Sequence, residues 1–329
     1  MKKKPSQNIF AGGGLILLII GGFFGILYQT LYLLITREAL ADQSLYFVGA
    51  RVLQELGFLL VFCALMVGCY YYRSEEEPHQ KIAGFTLIPA AVVSIPAFVY
   101  LLYDNISILQ DQVFTMRTFL TQIIPTLFES ISKIYFFAGA LFLGILFIGV
   151  LRRKSVADWF LISGSLTGCV VLVIYLYTII DSYSVYLEQG ASSDLIMARV
   201  IIPSSTMVLA YLFIIGGTLL FSVSRIWQRR NLKPWTGRIW LVGGITGAFH
   251  EFIQLAMNSQ NIQDEILRVR QYIMELTPYS TSLRDLPLTT LTLREYYVKK
   301  MIPLYLDHAL WILIFSGLAM VGLYFWLKE

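Results

Sequence analysis

Eight times along this chain the apolar residues continue for about 20 positions, the length of helix needed to cross a hydrocarbon layer about 30 Å thick. The stretches are 10–35, 46–72, 82–103, 133–151, 156–184, 198–224, 239–258 and 303–327. Backbone groups find no water in such a layer, so each stretch has to close its own hydrogen bonds as a helix. Composition agrees, because 57% hydrophobic and 14% charged residues leave too little polar surface to wrap a soluble globule. The expected fold is therefore all-α and polytopic, with about eight transmembrane helices in a single domain over residues 1–329.

Basic residues set the expected orientation. The opening MKKK, Arg73 with Lys81, Arg152-Arg153-Lys154 and the run RIWQRRNLKPWTGR (225–238) fall on one side if the helices alternate, and that side is the cytoplasm. Both termini are then inside, in a bacterial or archaeal plasma membrane. MKKKPSQNIF leads into the first apolar run without a small-residue cleavage site and reads as a retained span. Two long connections face outward. Residues 104–132 repeat apolar side chains at helical spacing and are expected to lie along the outer interface as an amphipathic segment. Residues 259–301 form the second outer loop, helical over 260–276 and turn-rich in TPYSTSLRDLPL.

Several chemistries are excluded by what is missing. Cys63, Cys69 and Cys169 all lie inside apolar runs and read as small buried hydrophobes, neither a disulfide framework nor a zinc site. No phosphate-binding glycine loop, H-E-x-x-H or C-x-x-C occurs, and ISGSLTG (162–168) lacks the glycine order and nearby His of a serine hydrolase. The net charge of +4 comes from loops, so no nucleic-acid surface is expected; the surrounding partners are membrane lipids. Glycines four apart, Gly21 with Gly25 and Gly243 with Gly247, permit close helix contact.

Ionisable groups inside the spans carry the functional question, because each is costly in a bilayer and so has partners or a task. They are Arg51 and Glu55, Asp181, His250 and Glu251, and Asp307 and His308. At 1.5 Å per residue most lie in the outer half of their spans. Arg51 and Glu55 are one turn apart and are expected to pair. His250-Glu251 and Asp307-His308 bring two imidazoles and two carboxylates to similar depth, a set that either ligates a metal or packs as satisfied polar groups. One function class is a transporter or channel with a polar outer vestibule, against which stands that ion and proton paths usually string carboxylates across the full depth while the inner halves of these spans are almost free of charge; an unrelated membrane scaffold is another.

A resemblance adds a different reading. His308 followed by AMVGLYFWL (319–327) resembles the helix of haem-copper oxidase and nitric oxide reductase catalytic subunits that carries an H-x-H pair before an M-G-x-L-Y-W run. In that alignment His308 stands at a low-spin haem ligand and Leu306 at the lost high-spin ligand. FVGARVLQELGF resembles the helix bearing the other low-spin ligand, with Gln54 in its place. EQGASSDLIMARVIIPSSTMVLAY (188–211) is similar to the approach to the H-P-x-x-Y copper motif, keeping Tyr211 but with Met207 and Val208 for the His and Pro. ITGAFHEF (245–252) resembles the copper-binding His-His pair, with Glu251 second, so only His250 of that metal set is kept. The resemblance covers most of the first seven helices and one later helix, and several family helices are missing.

What it implies is a chain with no oxygen-reducing activity of its own, since the copper ligands are lost. One b-type haem on His308 with Gln54 is what remains of the cofactor set. The implied function is a non-catalytic, haem-copper-oxidase-like subunit of a respiratory electron-transfer complex, contacting other membrane subunits and lipid or quinone.

Overall fold

A computed structural model of the protein describes residues 5–39, 45–74, 77–110, 119, 123–150, 155–188, 192–229, 231–276 and 301–327. Eight long helices account for nearly all of them: α1 (Pro5–Ala39), α2 (Leu45–Ser74), α3 (Glu77–Gln110), α4 (Ile124–Phe147), α5 (Ser155–Glu188), α6 (Ile202–Ile226), α7 (Leu232–Leu276) and α8 (Ile302–Leu327). A one-turn helix, Ser193–Ile196, and a π-helical turn, Met197–Ile201, lead into α6. Prolines open α4 and α6, where a missing N–H costs no helical hydrogen bond.

Helices adjacent in sequence are adjacent in space all the way round, and α8 returns to pack on α1. The result is a closed ring in which every neighbour is antiparallel. Small residues let the helices approach at several seams. A methyl group added at Gly25 would stand 2.5 Å from the Phe62 ring, and one at Gly243 would stand 2.9 Å from Phe213. Between α7 and α8 the backbones themselves come close: a methyl at Gly237 would lie 2.6 Å from both the Gly322 carbonyl oxygen and the Trp326 amide nitrogen.

Aromatic rings fill the interior. Phe58 of α2 meets Phe137 of α4 and Phe98 of α3, Phe62 of α2 meets Trp311 of α8, and Tyr211 of α6 meets Trp311 and Phe315 of α8. Side chains that reach across the ring therefore tie non-adjacent helices together.

The all-helical architecture is as expected, and the number of spans is revised. Among the described residues seven helices are long and apolar enough to cross a membrane; α7 is not one of them, because His250, Glu251 and the polar residues beyond them lower its hydropathy. It nevertheless packs between α6 and α8 as one unbroken helix. Of the stretch 104–132 expected at the outer interface, residues 104–110 continue α3 and 124–132 begin α4, while 111–118 and 120–122 lie outside the described residues. Likewise 259–276 is the end of α7, and 277–300 lies outside the described residues.

Candidate functional site: a polar belt at one end of the ring

Alternation brings the C-terminal ends of α1, α3, α5 and α7 to the same end of the ring as the N-terminal ends of α2, α4, α6 and α8. Nearly every ionisable group singled out from the sequence falls at that end, and seven of the eight helices contribute polar groups to a belt there, some in direct contact and others within electrostatic reach.

The centre of the belt is a buried pair. His308 Nδ1 of α8 lies 2.7 Å from Glu251 Oε2 of α7, and both residues are less than one-tenth exposed. His308 Nε2 lies 3.0 Å from the Asn258 side-chain nitrogen. An amide NH2 can only donate, so Nε2 accepts, and the ring proton on Nδ1 is donated to the Glu251 carboxylate. Helix spacing explains the meeting: Glu251 and Asn258 are seven residues apart and share the face of α7 turned to α8.

On either side the belt continues through neighbours. Asp307 sits beside the Glu251 and His308 charges and bonds to the Trp311 side chain one turn on. Tyr211 of α6 stands close to Glu251 and Asp307, and Tyr28 of α1 stands close to both Asp307 and Glu55. Gln29 of α1 contacts Glu55 of α2, yet its own Oε1 is buried without a partner. Beyond Glu55 comes Lys133 of α4, held by Glu129 at 2.6 Å, and Tyr175 of α5 donates its hydroxyl to Glu129 at 2.7 Å. On the other flank His250 Nδ1 lies 3.1 Å from the Thr206 hydroxyl of α6. That hydroxyl already donates to the Ile202 and Pro203 carbonyls, so it accepts from His250.

Three residues sit differently from expectation. Arg51 is exposed on α2; it lends its charge to Glu55 but donates its Nη1 hydrogen bond to Gln54, at 3.3 Å. Asp181 is half-buried on α5, six residues beyond Tyr175 toward the helix end. His250 is next to the central pair without being part of it. The groups not anticipated are Tyr28, Gln29, Glu129, Lys133, Tyr175, Thr206 and Asn258. Of these only Glu129 and Lys133 left a trace in the sequence, an acid and a base four residues apart at the edge of a span.

The cofactors implied by the resemblance do not fit this arrangement. Haem iron needs a free imidazole nitrogen on His308, and both are engaged, one by Glu251 and one by Asn258. Gln54, the other implied ligand, is turned to Arg51. Met207 is 40% exposed and lines a cleft of about 290 Å³ between α5 and α6, away from the Glu251–His308 pair. No group of three or more His, Cys, Asp or Glu side chains able to hold a metal ion occurs among the described residues.

What the belt can do chemically is hold and relay protons. Glu55, Glu129, Glu251 and Asp307 accept them, His250 and His308 exchange them between two nitrogens, and Tyr28, Tyr175 and Tyr211 bridge with hydroxyls. No protein-family model, curated protein or solved structure matches this chain.

Proposed function

We propose that the chain is an eight-span, proton-coupled transporter whose proton-binding belt lies in the outer half, with α7 as the eighth span and both termini in the cytoplasm. The observation that carries the reading is the buried Glu251–His308 contact with Asp307 beside it, assembled from α7 and α8 inside a closed ring. Carboxylates and imidazoles at that depth are expensive unless they bind charge, and titratable residues inside membrane spans mark ion and proton paths. Orientation rests on the cationic run 225–238, which connects α6 to α7 at the end of the ring opposite the belt.

Haem-copper ancestry is not needed for this reading, since its metal ligands are committed to other partners. A non-catalytic subunit of a larger membrane complex predicts a chain that co-purifies with other subunits and is unstable alone; the transporter predicts a stable, colourless protein on its own.

The direct test is charge movement. Proteoliposomes adsorbed on a solid-supported membrane should give a transient displacement current after an outward-facing pH jump, as protons enter sites inside the membrane field. Glu251→Gln should remove most of that current. A wild-type protein without such a current, or a Soret band that vanishes in His308→Ala, refutes the proposal.

A further inference from the structure

The opposite end of the ring holds a second arrangement that the belt does not use. Arg238, in the second turn of α7, is clasped between two tryptophans: its guanidinium carbon lies 4.8 Å from the Trp235 ring centroid and 5.5 Å from that of Trp326 on α8. The clasp exists because Gly237 and Gly322 allow α7 and α8 to touch through their backbones, which carries Trp326 over to Arg238. Yet the Arg238 Nε–H is buried with no acceptor. A charged N–H left unmade is costly, and an oxygen anion is the acceptor such a group is shaped to take.

The surroundings say which anion. Arg229 and Lys233 are exposed at the same end, whereas Arg225 is already matched by Asp158 at 3.4 Å. Trp159, Trp227, Trp235 and Trp326 are all between 38% and 55% exposed there, the signature of the level where headgroups meet acyl chains. From Trp235 and Arg238 one face of α7 continues into the bilayer through Val242, Ile245, Phe249 and Phe252, at alternating spacings of four and three. All four are exposed, so a continuous apolar strip descends from the guanidinium.

We infer that Trp235, Arg238 and Trp326 bind the phosphate of an anionic phospholipid in the inner leaflet, with Lys233 and Arg229 beside the headgroup and the acyl chains lying along Val242 and Ile245. A free phosphate would satisfy Arg238 but has no use for the strip below it. This site is independent of the proposed transport activity.

The test is native mass spectrometry of delipidated protein titrated with phosphatidylglycerol, phosphatidylcholine or inorganic phosphate. Wild type should retain phosphatidylglycerol, and Arg238→Gln should bind it about fivefold more weakly, the effect of one cationic side chain at a membrane surface. Lys154→Gln, in a different basic connection, should bind as wild type. Equal weakening in Lys154→Gln shows generic charge attraction and overturns the site, as does equal retention of phosphatidylcholine. Equal thermal stabilisation by inorganic phosphate assigns the site to a free anion and overturns the lipid. If Arg238→Gln fails to fold, exposed Lys233→Gln should still weaken phosphatidylglycerol in the same direction; unchanged binding there overturns the inference.

Discussion

The two halves of the ring are held together by different physics. At the belt end, seven helices contribute carboxylates, imidazoles, amides and hydroxyls, with Glu251 and His308 at the centre. At the opposite end α6, α7 and α8 meet through Phe221, Trp240 and Phe325 and through the Gly237–Gly322 backbone seam, and Asp158–Arg225 is the ion pair described there. Apolar packing and close backbone contact are sufficient to join membrane helices, as that end demonstrates. Polar groups are therefore not required for assembly at the belt end, and their concentration there is what the proposed function accounts for.

The contrast can be broken most severely at the central pair. His308→Leu leaves the Glu251 carboxylate buried without its donor, and should destabilise the fold by about 3 kcal/mol in a mixed-micelle unfolding titration. Glu251→Leu combined with His308→Leu removes both polar partners and should recover most of that loss. If the double variant is no more stable than His308→Leu, the two side chains do not act as a pair.

A second variant probes the end opposite the belt with a change of shape and none of charge. At Gly237→Ala the new methyl would meet backbone atoms of Gly322 and Trp326 at 2.6 Å, and backbone cannot turn aside as a side chain does. Overpacking of this kind should cost about 2 kcal/mol. The pH-jump current should persist in the fraction that folds, because the belt lies at the other end. Loss of the current with normal folding would mean that the two halves are coupled.

Between the halves, Ser132 of α4 donates to the Gly164 carbonyl of α5 at 2.8 Å, and it is 6% exposed. Ser132→Ala forfeits one neutral hydrogen bond and should cost about 1 kcal/mol by the same titration. A cost as large as that of His308→Leu would erase the distinction between a packing hydrogen bond and the central pair.

How much of this was legible depends on what kind of signal each residue leaves. Eight stretches announce themselves because apolar runs of that length have few other uses. The one carrying His250 and Glu251, 239–258, has a hydropathy diluted by the very groups that make it interesting, and its packing between α6 and α8 shows it to be an unbroken member of the ring. Glu251, Asp307 and His308 could be flagged because charge inside an apolar run is conspicuous. Glu129 lies one helical turn before the apolar run that begins at 133, and Lys133 stands at its first position, so both read as the wet edge of a span. Asp158 likewise stands near the start of its run, although it is 2% exposed. Thr206, Asn258, Tyr28 and Gln29 leave no signal at all: such residues are common in membrane helices, and only the neighbour each one meets gives it meaning. His308 is a related case, since spacing along one helix places it near a ligand position of the resembled family but does not reveal that Glu251 and Asn258 contact both of its nitrogens.

The smallest expected effect concerns the pair that spacing made most attractive. Arg51 and Glu55 are one turn apart, and an intrahelical ion pair is the simplest way to discharge both. In the ring Arg51 is exposed and gives its Nη1 to Gln54; its charge acts on Glu55, which also has Gln29 in contact and the Lys133 charge nearby. An exposed guanidinium contributes little to stability because solvent and salt screen it, so Arg51→Met should shift unfolding by less than about 0.5 kcal/mol. Glu55→Leu removes a half-buried group shared by α1, α2 and α4, and should perturb the belt more than Arg51→Met does. The decisive reading is the order of the two variants in unfolding and in displacement current. If Arg51→Met is the more damaging, Glu55 depends on its own helix and the belt ends at α1; if Glu55→Leu is, the belt extends through α2 to α4, as the contacts of Gln29 and Lys133 imply.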